Sequence, residues 1–249
     1  MRFENRVAVV TGAASGLGRA VAQRLASEGA TIFGVDVNAE GLEETATLVR
    51  EAGGTMHHCV ANISDRMESH GAIAQAMDTC GRIDVLVNVA GVLRAGHVTD
   101  VTEETWNLVF GVNVAGTFWM CQAAIPHLLE SHGNIVNVAS NAGLMGTAYT
   151  TVYASSKAAV VNMTRSLAME FIRTPLRINA VAPGGINTAM AQATFFPEDT
   201  NWKLVAPSMG FRSLSEPEEI AAVIAFVASP DAKALHGAIV SADEGITAS

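Results

Sequence analysis

The sequence predicts an α/β domain with a seven-stranded parallel sheet, doubly wound, and helices on both faces. Three observations carry that expectation. Short runs rich in β-branched residues alternate with longer amphipathic runs along all 249 residues, and a chain that alternates strand and helix builds a parallel sheet through crossover helices. Several of the short runs are almost wholly apolar, as strands covered on both faces must be. The composition, 49% hydrophobic and 16% charged, can fill a large core.

In chain order, strands are expected at 6–11, 31–35, 56–60, 85–88, 135–138, 177–181 and 238–240. Helices are expected at 16–29, 39–52, 66–80, 103–131, 152–171 and 217–227. No linker, low-complexity run or charge block divides the chain, so one domain over 1–249 is expected. The stretch 189–215 interrupts the alternation and carries Met190, Phe195, Phe196, Trp202, Met209 and Phe211. It follows the carboxyl end of a strand, where open α/β sheets place their ligands. A lid over substrate is the favoured reading. The other is a surface helix pair that buries these side chains permanently or against another subunit.

Bulk properties exclude several classes of partner. The net charge is −9, from 15 Lys+Arg against 24 Asp+Glu. That balance argues against nucleic acid, which needs a basic face, and against an anionic membrane surface. The first six residues lack the apolar core of a signal peptide, and apolar stretches such as 221–228 are too short to span a bilayer. Cys59, Cys80 and Cys121 form neither a metal-ligand pattern nor a disulfide framework. Buried thiols in a reducing cytoplasm are expected. The seven histidines, His57 and His58 included, show no ligand spacing, and no metal is expected.

The first strand leads into Thr11-Gly12-Ala13-Ala14-Ser15-Gly16-Leu17-Gly18. The spacing is GxxxGxG between a strand and a helix. Glycine allows a tight turn and close backbone approach to a pyrophosphate, and the helix that follows presents free N–H groups and a positive dipole end. Gly12, Ser15, Gly16, Leu17 and Gly18 are therefore expected to hold a dinucleotide. Asp36 ends the second strand, twenty residues after Gly16. A carboxylate there accepts hydrogen bonds from the adenosine ribose hydroxyls and repels a 2′-phosphate. Its expected neighbours Ser15 and Val37 supply no cation, so NAD(H) is favoured over NADP(H), against a plain turn aspartate as the other reading.

A second constellation is Tyr153-Ala154-Ser155-Ser156-Lys157. Residues four apart share a helix face, so the phenol and the ammonium can point into one crevice. A free tyrosine has a pKa of about 10, and lowering it by about 3 units needs roughly 4 kcal/mol of differential stabilisation. Lys157 and a positively charged nicotinamide could share that task. Ser140 ends the 135–138 strand, thirteen residues before Tyr153, where its hydroxyl can bond a reacting oxygen. Asn113, in the preceding helical run, can hold a water that relays protons from Lys157. Taken singly, Ser140 could equally cap a helix and Asn113 could be a core polar residue.

Together these motifs resemble the classical short-chain dehydrogenase/reductase family over essentially the whole chain, and with it a Rossmann-type fold. The matching residues are Thr11-Gly12-x-x-x-Gly16-x-Gly18, Asn88-x-Ala90-Gly91, Asn113, Ser140, Tyr153-x-x-x-Lys157 and Pro183-Gly184. The resemblance implies that Asn88, Ala90 and Gly91 line the adenosine side and brace the sheet. It places Pro183, Gly184, Ile186 and Thr188 around the nicotinamide, and Asn62 and Ile63 beside the adenine. Position 62 is Asn where the family usually has Asp, and its carbonyl can still accept from the adenine amino group. Position 89 is Val where a second Asn is common, and Ala242-Asp243-Glu244-Gly245 stands where many members carry Asp-Gly-Gly. A homotetramer packed through 103–131 and 152–171 is also implied.

The expected function is hydride transfer between NAD(H) and a small-molecule secondary alcohol or ketone, with Tyr153 as acid/base. Leu144, Met145, Met190, Phe195, Phe196 and Trp202, with Ser140 and Tyr153, would shape an apolar substrate pocket for a ring or chain compound. Alternatives within the family are β-ketoacyl-(acyl-carrier-protein) reductases and sugar dehydrogenases. Outside it stands a nicotinamide sensor or scaffold that no longer catalyses, which would be expected to lose Tyr153 or Lys157.

Overall fold

Seven strands form one sheet in the order β3-β2-β1-β4-β5-β6-β7. They are β1 Val7–Thr11, β2 Thr31–Asp36, β3 Thr55–Val60, β4 Val85–Asn88, β5 Asn134–Val138, β6 Arg177–Pro183 and β7 Ile239–Ala242. Every pairing is parallel. The structure, a computed structural model, describes residues 1–210 and 212–248. Phe211 of the apolar segment lies outside the described residues. Each expected strand is present, with ends that move by no more than two residues.

Successive strand side chains point to opposite faces, and this splits the interior into two cores. Ala8, Val10, Ile32 and Val136 pack on one side with Leu25, Val49 and Ile224. Val9, Phe33, Val35 and Ile135 pack on the other with Ile73, Met120 and Leu128. The near-continuous apolar strands are thus read by both faces at once, which is why they show no clean alternation.

The helices of the described residues are α1 Gly16–Ser27, α2 Ala39–Glu51, α3 Arg66–Cys80, α4 Glu103–Phe110, α5 Thr117–Glu130, α6 Thr151–Glu170, α7 Ala189–Gln192, α8 Trp202–Met209 and α9 Pro217–Ala228. Their starts are written locally. The Asn38 side chain caps α2 through the Gly41 N–H, and Asp65 caps α3 through the Met67 and Glu68 N–H groups. Pro217 and a reciprocal Glu216–Glu219 capping box begin α9. The helix expected at 103–131 proves to be two helices joined by a π-helical turn, Gly111–Gly116. The wider turn brings both Asn113 and Gly116 inside. By length and composition Glu103–Glu130 could cross a membrane, which corrects the expectation that every apolar run is too short. Here its inner side, with Val109, Asn113, Met120, Cys121 and Leu128, is buried in the protein.

The described residues of the segment 189–215 fold as α7 and α8 with loops between them. The segment rejoins the body where Ile186 pairs with Ser215. At the last turn, where the family resemblance suggests glycine, Glu244 holds φ at +56°, a left-handed conformation costly for a residue with a Cβ. The order of strands reverses between β1 and β4. Such a switch point opens a crevice at the carboxyl ends of the strands.

Candidate active site

A cavity of about 370 Å³ occupies that crevice. Its wall begins at the glycine turn. A Cβ on Gly18 would stand 2.0 Å from the Gly12 carbonyl oxygen, so only glycine lets the turn and the first turn of α1 touch. Ser15 precedes α1 in extended conformation, and its side chain caps no backbone N–H. Gly16, Leu17 and Gly18 line the cavity, so the unshared N–H groups and the positive end of α1 stand at its wall. The Thr11 hydroxyl accepts the Val89 and Ala90 N–H groups at 3.0 and 3.1 Å, tying the ends of β1 and β4 together.

Asp36 lines the same cavity, with Val37 beside it. Its carboxylate accepts the Ala14 N–H at 3.1 Å and the Asn38 N–H at 3.0 Å. The charged side chains in the cavity wall are Asp36 and Lys157. Arg19 is turned elsewhere, held by the Ala14 carbonyl at 2.6 Å, the Thr45 hydroxyl at 2.9 Å and Glu44 at 2.7 Å. Of the side chains lining this end of the cavity, Asp36 is the charged one, and it is negative.

Ile63, Ala90, Gly91, Pro183, Gly184, Ile186 and Thr188 also line the cavity, as expected. Two expectations need correction. Asn88 is not in the wall. Its amide is buried below it and donates to Asn137 Oδ1 at 2.9 Å and Cys121 Sγ at 3.3 Å, so it braces the sheet, as the resemblance also implied. Asn62 reaches the cavity, yet its side-chain carbonyl already accepts the Ser64 N–H and hydroxyl at 3.1 and 2.8 Å. A local turn has taken the acceptor that was assigned to the adenine.

At the other end, Ser140, Tyr153 and Lys157 meet in the wall. Lys157 is buried, and its ammonium donates to the Val138 carbonyl at 2.8 Å and lies 5.8 Å from the centre of the Tyr153 ring. Burial pushes its pKa down to about 8. Burial also raises the Tyr153 phenol above its usual range, opposed by a hydrogen bond with Ser140. Ser140 faces the cavity and also caps the short turn Asn141–Gly143 through the Ala142 N–H. The reading of this residue as a cap holds.

Asn113 is a clamp. Its Oδ1 accepts the Val92 N–H at 2.8 Å, and its Nδ2 donates to the Val92 carbonyl at 3.0 Å and to Ser156 Oγ at 2.9 Å. With both amide hydrogens committed, it joins the loop after β4 to α6, and the water-holding role expected of its amide has no free donor. Val92 and Ser156 were missed in the sequence. Their signal is spatial, since nothing in local spacing marks them. Val35, Ala61, Val89, Val112, Val138, Ala139 and Ala189, also unassigned, complete the wall.

The apolar substrate residues are less gathered than expected. Met190 lines the cavity, whereas Leu144, Met145, Phe195, Phe196 and Trp202 do not. Phe195 is 84% exposed. Phe196 and Trp202 lean on each other, ring centres 5.3 Å apart. The segment instead fastens to the body at its far side, where His97 Nε2 meets Asp199 at 2.8 Å and the Tyr149 hydroxyl accepts the Asn201 N–H at 2.9 Å.

Residues 6–198 match the family model for short chain dehydrogenases. The chain belongs to the short chain dehydrogenase family. This short chain dehydrogenase is 37% identical to a 3-oxoacyl-[acyl-carrier-protein] reductase of Thermotoga maritima, covering 99% of both chains. It is 37% identical to a meso-2,3-butanediol dehydrogenase of Serratia marcescens, covering 100% of this chain and 97% of that one. A short chain dehydrogenase of Mycobacterium paratuberculosis solved with NAD superimposes with a TM-score of 0.93 at 31% identity, covering 100% of both chains. The protein is an oxidoreductase of CH–OH groups that uses a nicotinamide cofactor and acts on small-molecule alcohols or ketones. The site fits that cofactor. The glycine turn and the uncapped start of α1 line one end of the cavity, and Asp36 stands in the same wall. Among the described residues no group of His, Cys, Asp or Glu is arranged to hold a metal.

Proposed function

We propose that this short chain dehydrogenase interconverts secondary alcohols and ketones with NAD(H), using Tyr153 as acid/base. One observation carries the reading: Tyr153, Lys157 and Ser140 share a cavity with the uncapped glycine turn and Asp36. Gly12, Ser15, Gly16, Leu17 and Gly18 would hold the pyrophosphate, Asp36 the adenosine ribose, and Ile186 and Thr188 the carboxamide. The bound nicotinamide supplies the hydride acceptor or donor.

In oxidation, the Tyr153 phenolate removes the proton from the alcohol oxygen, and in reduction the phenol returns it. Ser140 orients that oxygen. Lys157, with a pKa near 8, can exchange its proton close to neutrality and support the phenolate. Asn113, through Val92 and Ser156, keeps α6 and the β4 loop in register so that these groups stay aimed at one point. Asp36, as the charged side chain lining the ribose end, supports NAD over NADP, since it would repel a 2′-phosphate. Met190 in the wall and the apolar segment behind it support an apolar ring or chain substrate, with 189–215 as a lid. The relative that acts on 2,3-butanediol favours a small secondary alcohol, and the acyl-carrier-protein reductase keeps a 3-oxoacyl thioester as the second reading. A homotetramer through the long helices and a cytoplasmic location complete the proposal, the latter supported by three free thiols.

A panel of secondary alcohols, ketones and 3-oxoacyl thioesters, run with each nicotinamide cofactor, tests it. Turnover with NAD(H) is expected, and Tyr153→Phe should lose at least ~100-fold in kcat, the scale of general acid/base catalysis, while still binding NADH. A Tyr153→Phe enzyme of comparable activity would overturn the mechanism, and a preference for NADP(H) would overturn the role of Asp36.

A further inference from the structure

A serine hydroxyl has one proton and two lone pairs. The Ser140 proton goes to the Asn141 side-chain carbonyl at 3.1 Å, and one lone pair accepts the Ala142 N–H at 3.2 Å. The Asn141 carbonyl and Tyr153 compete for that single proton, since a Ser140 hydrogen bond to Tyr153 favours the phenolate. While Asn141 holds the proton, Ser140 faces the phenol with a lone pair.

Asn141 is buried. Beyond Ser140, its side-chain N–H reaches the Ser208 carbonyl in α8 at 3.5 Å. That length is at the limit for a hydrogen bond, so a small shift of α8 breaks or tightens it. The main-chain carbonyl of Asn141 is held separately, by the Leu144 and Met145 N–H groups at 2.8 and 3.2 Å. The side chain can therefore turn without undoing the loop that carries it.

We infer that Asn141 is a positioning residue that sets the direction of the Ser140 hydroxyl proton and, through Ser208, ties that direction to the place of α8. The inference rests on Tyr153 being the acid/base. With Asn141 as it stands, Ser140 offers the cleft an acceptor. With Asn141 turned away, Ser140 offers a donor, which favours an ionised phenol or a polarised ketone. The apolar segment thus reaches the reacting groups through one amide.

Asn141→Leu keeps the branched shape and removes both polar ends; Asn141→Ala serves if leucine prevents folding. The chain has two tyrosines, so ultraviolet titration of phenolate, read as the difference from Tyr153→Phe, isolates Tyr153. Freed from Asn141, the Ser140 proton should favour the phenolate and raise its ionisation constant about tenfold, one pKa unit. Adding Ser140→Ala should erase the gain, and NADH affinity should not change. An unshifted titration in the Asn141 variant overturns the inference, and so does a shift that survives Ser140→Ala. Turnover of Tyr153→Phe is a separate control. If that variant is active the acid/base reading fails, whereas an inactive Tyr153→Phe beside an unshifted Asn141 variant sinks the inference alone.

Discussion

Lys157 is a charge placed where water hardly reaches. It is 4% exposed, and its pKa falls from 10.5 to about 8. Because folding depresses it, the unfolded chain binds more protons between those two values, and stability rises with pH across that window. Below pH 8 the buried ammonium works against the fold by roughly 3 kcal/mol, at about 1.4 kcal/mol per pKa unit. Lys157→Met removes that cost and leaves the Val138 carbonyl without its donor, a loss of about 1–3 kcal/mol. A net gain of about 1 kcal/mol is expected in urea unfolding at pH 7, along with loss of turnover. A stability that instead falls by several kcal/mol would show the ammonium to be structural. At this scale the Tyr153–Lys157 spacing was legible, because four residues make one helical turn. The Asn113 clamp was not, because its partner Val92 lies 21 residues away on another element.

At the scale of elements, the glycine turn and α1 stand or fall together. Gly18→Ala would drive a Cβ into the Gly12 carbonyl, and the two segments must part. Overpacking of this kind costs about 1–3 kcal/mol. It also moves the helix N-terminus that the phosphates need, so NADH affinity is expected to drop more than tenfold in a fluorescence titration. Unchanged NADH affinity in a folded Gly18→Ala protein would show that this turn does not hold the dinucleotide. Strands and helices were readable because burial on both faces forces apolar runs, and caps such as Asn38 and Asp65 are local. The π-helical turn at Gly111–Gly116 was not readable. A single widened turn leaves the apolar period of α4 and α5 almost unchanged, and only the inward placement of Asn113 reveals it.

Across the whole molecule, large apolar side chains remain at the surface of the long helices. Trp106 is 46% exposed, Leu108 39% and Phe118 37%. The proposed homotetramer would cover these side chains. Light scattering is expected to give about four times the 26.0 kDa chain, and Phe118→Glu should shift the population to smaller species. A monomer at micromolar concentration would remove the tetramer from the proposal.

The amino-acid sequence by itself determined the class of fold, the glycine turn, Asp36 and the Tyr153–Lys157 pair, because each depends on neighbours within a turn or two of chain. Tertiary structure alone decided which polar groups were free. Asn113 carries the chemistry expected of it, yet Val92 and Ser156, on other segments, had already claimed its hydrogen bonds. The same holds for the apolar residues of 189–215, whose position relative to the cavity depends on contacts at His97, Tyr149 and Asn141. A hydrogen-bond donor serves one partner at a time, and which partner comes first is settled only when distant segments meet.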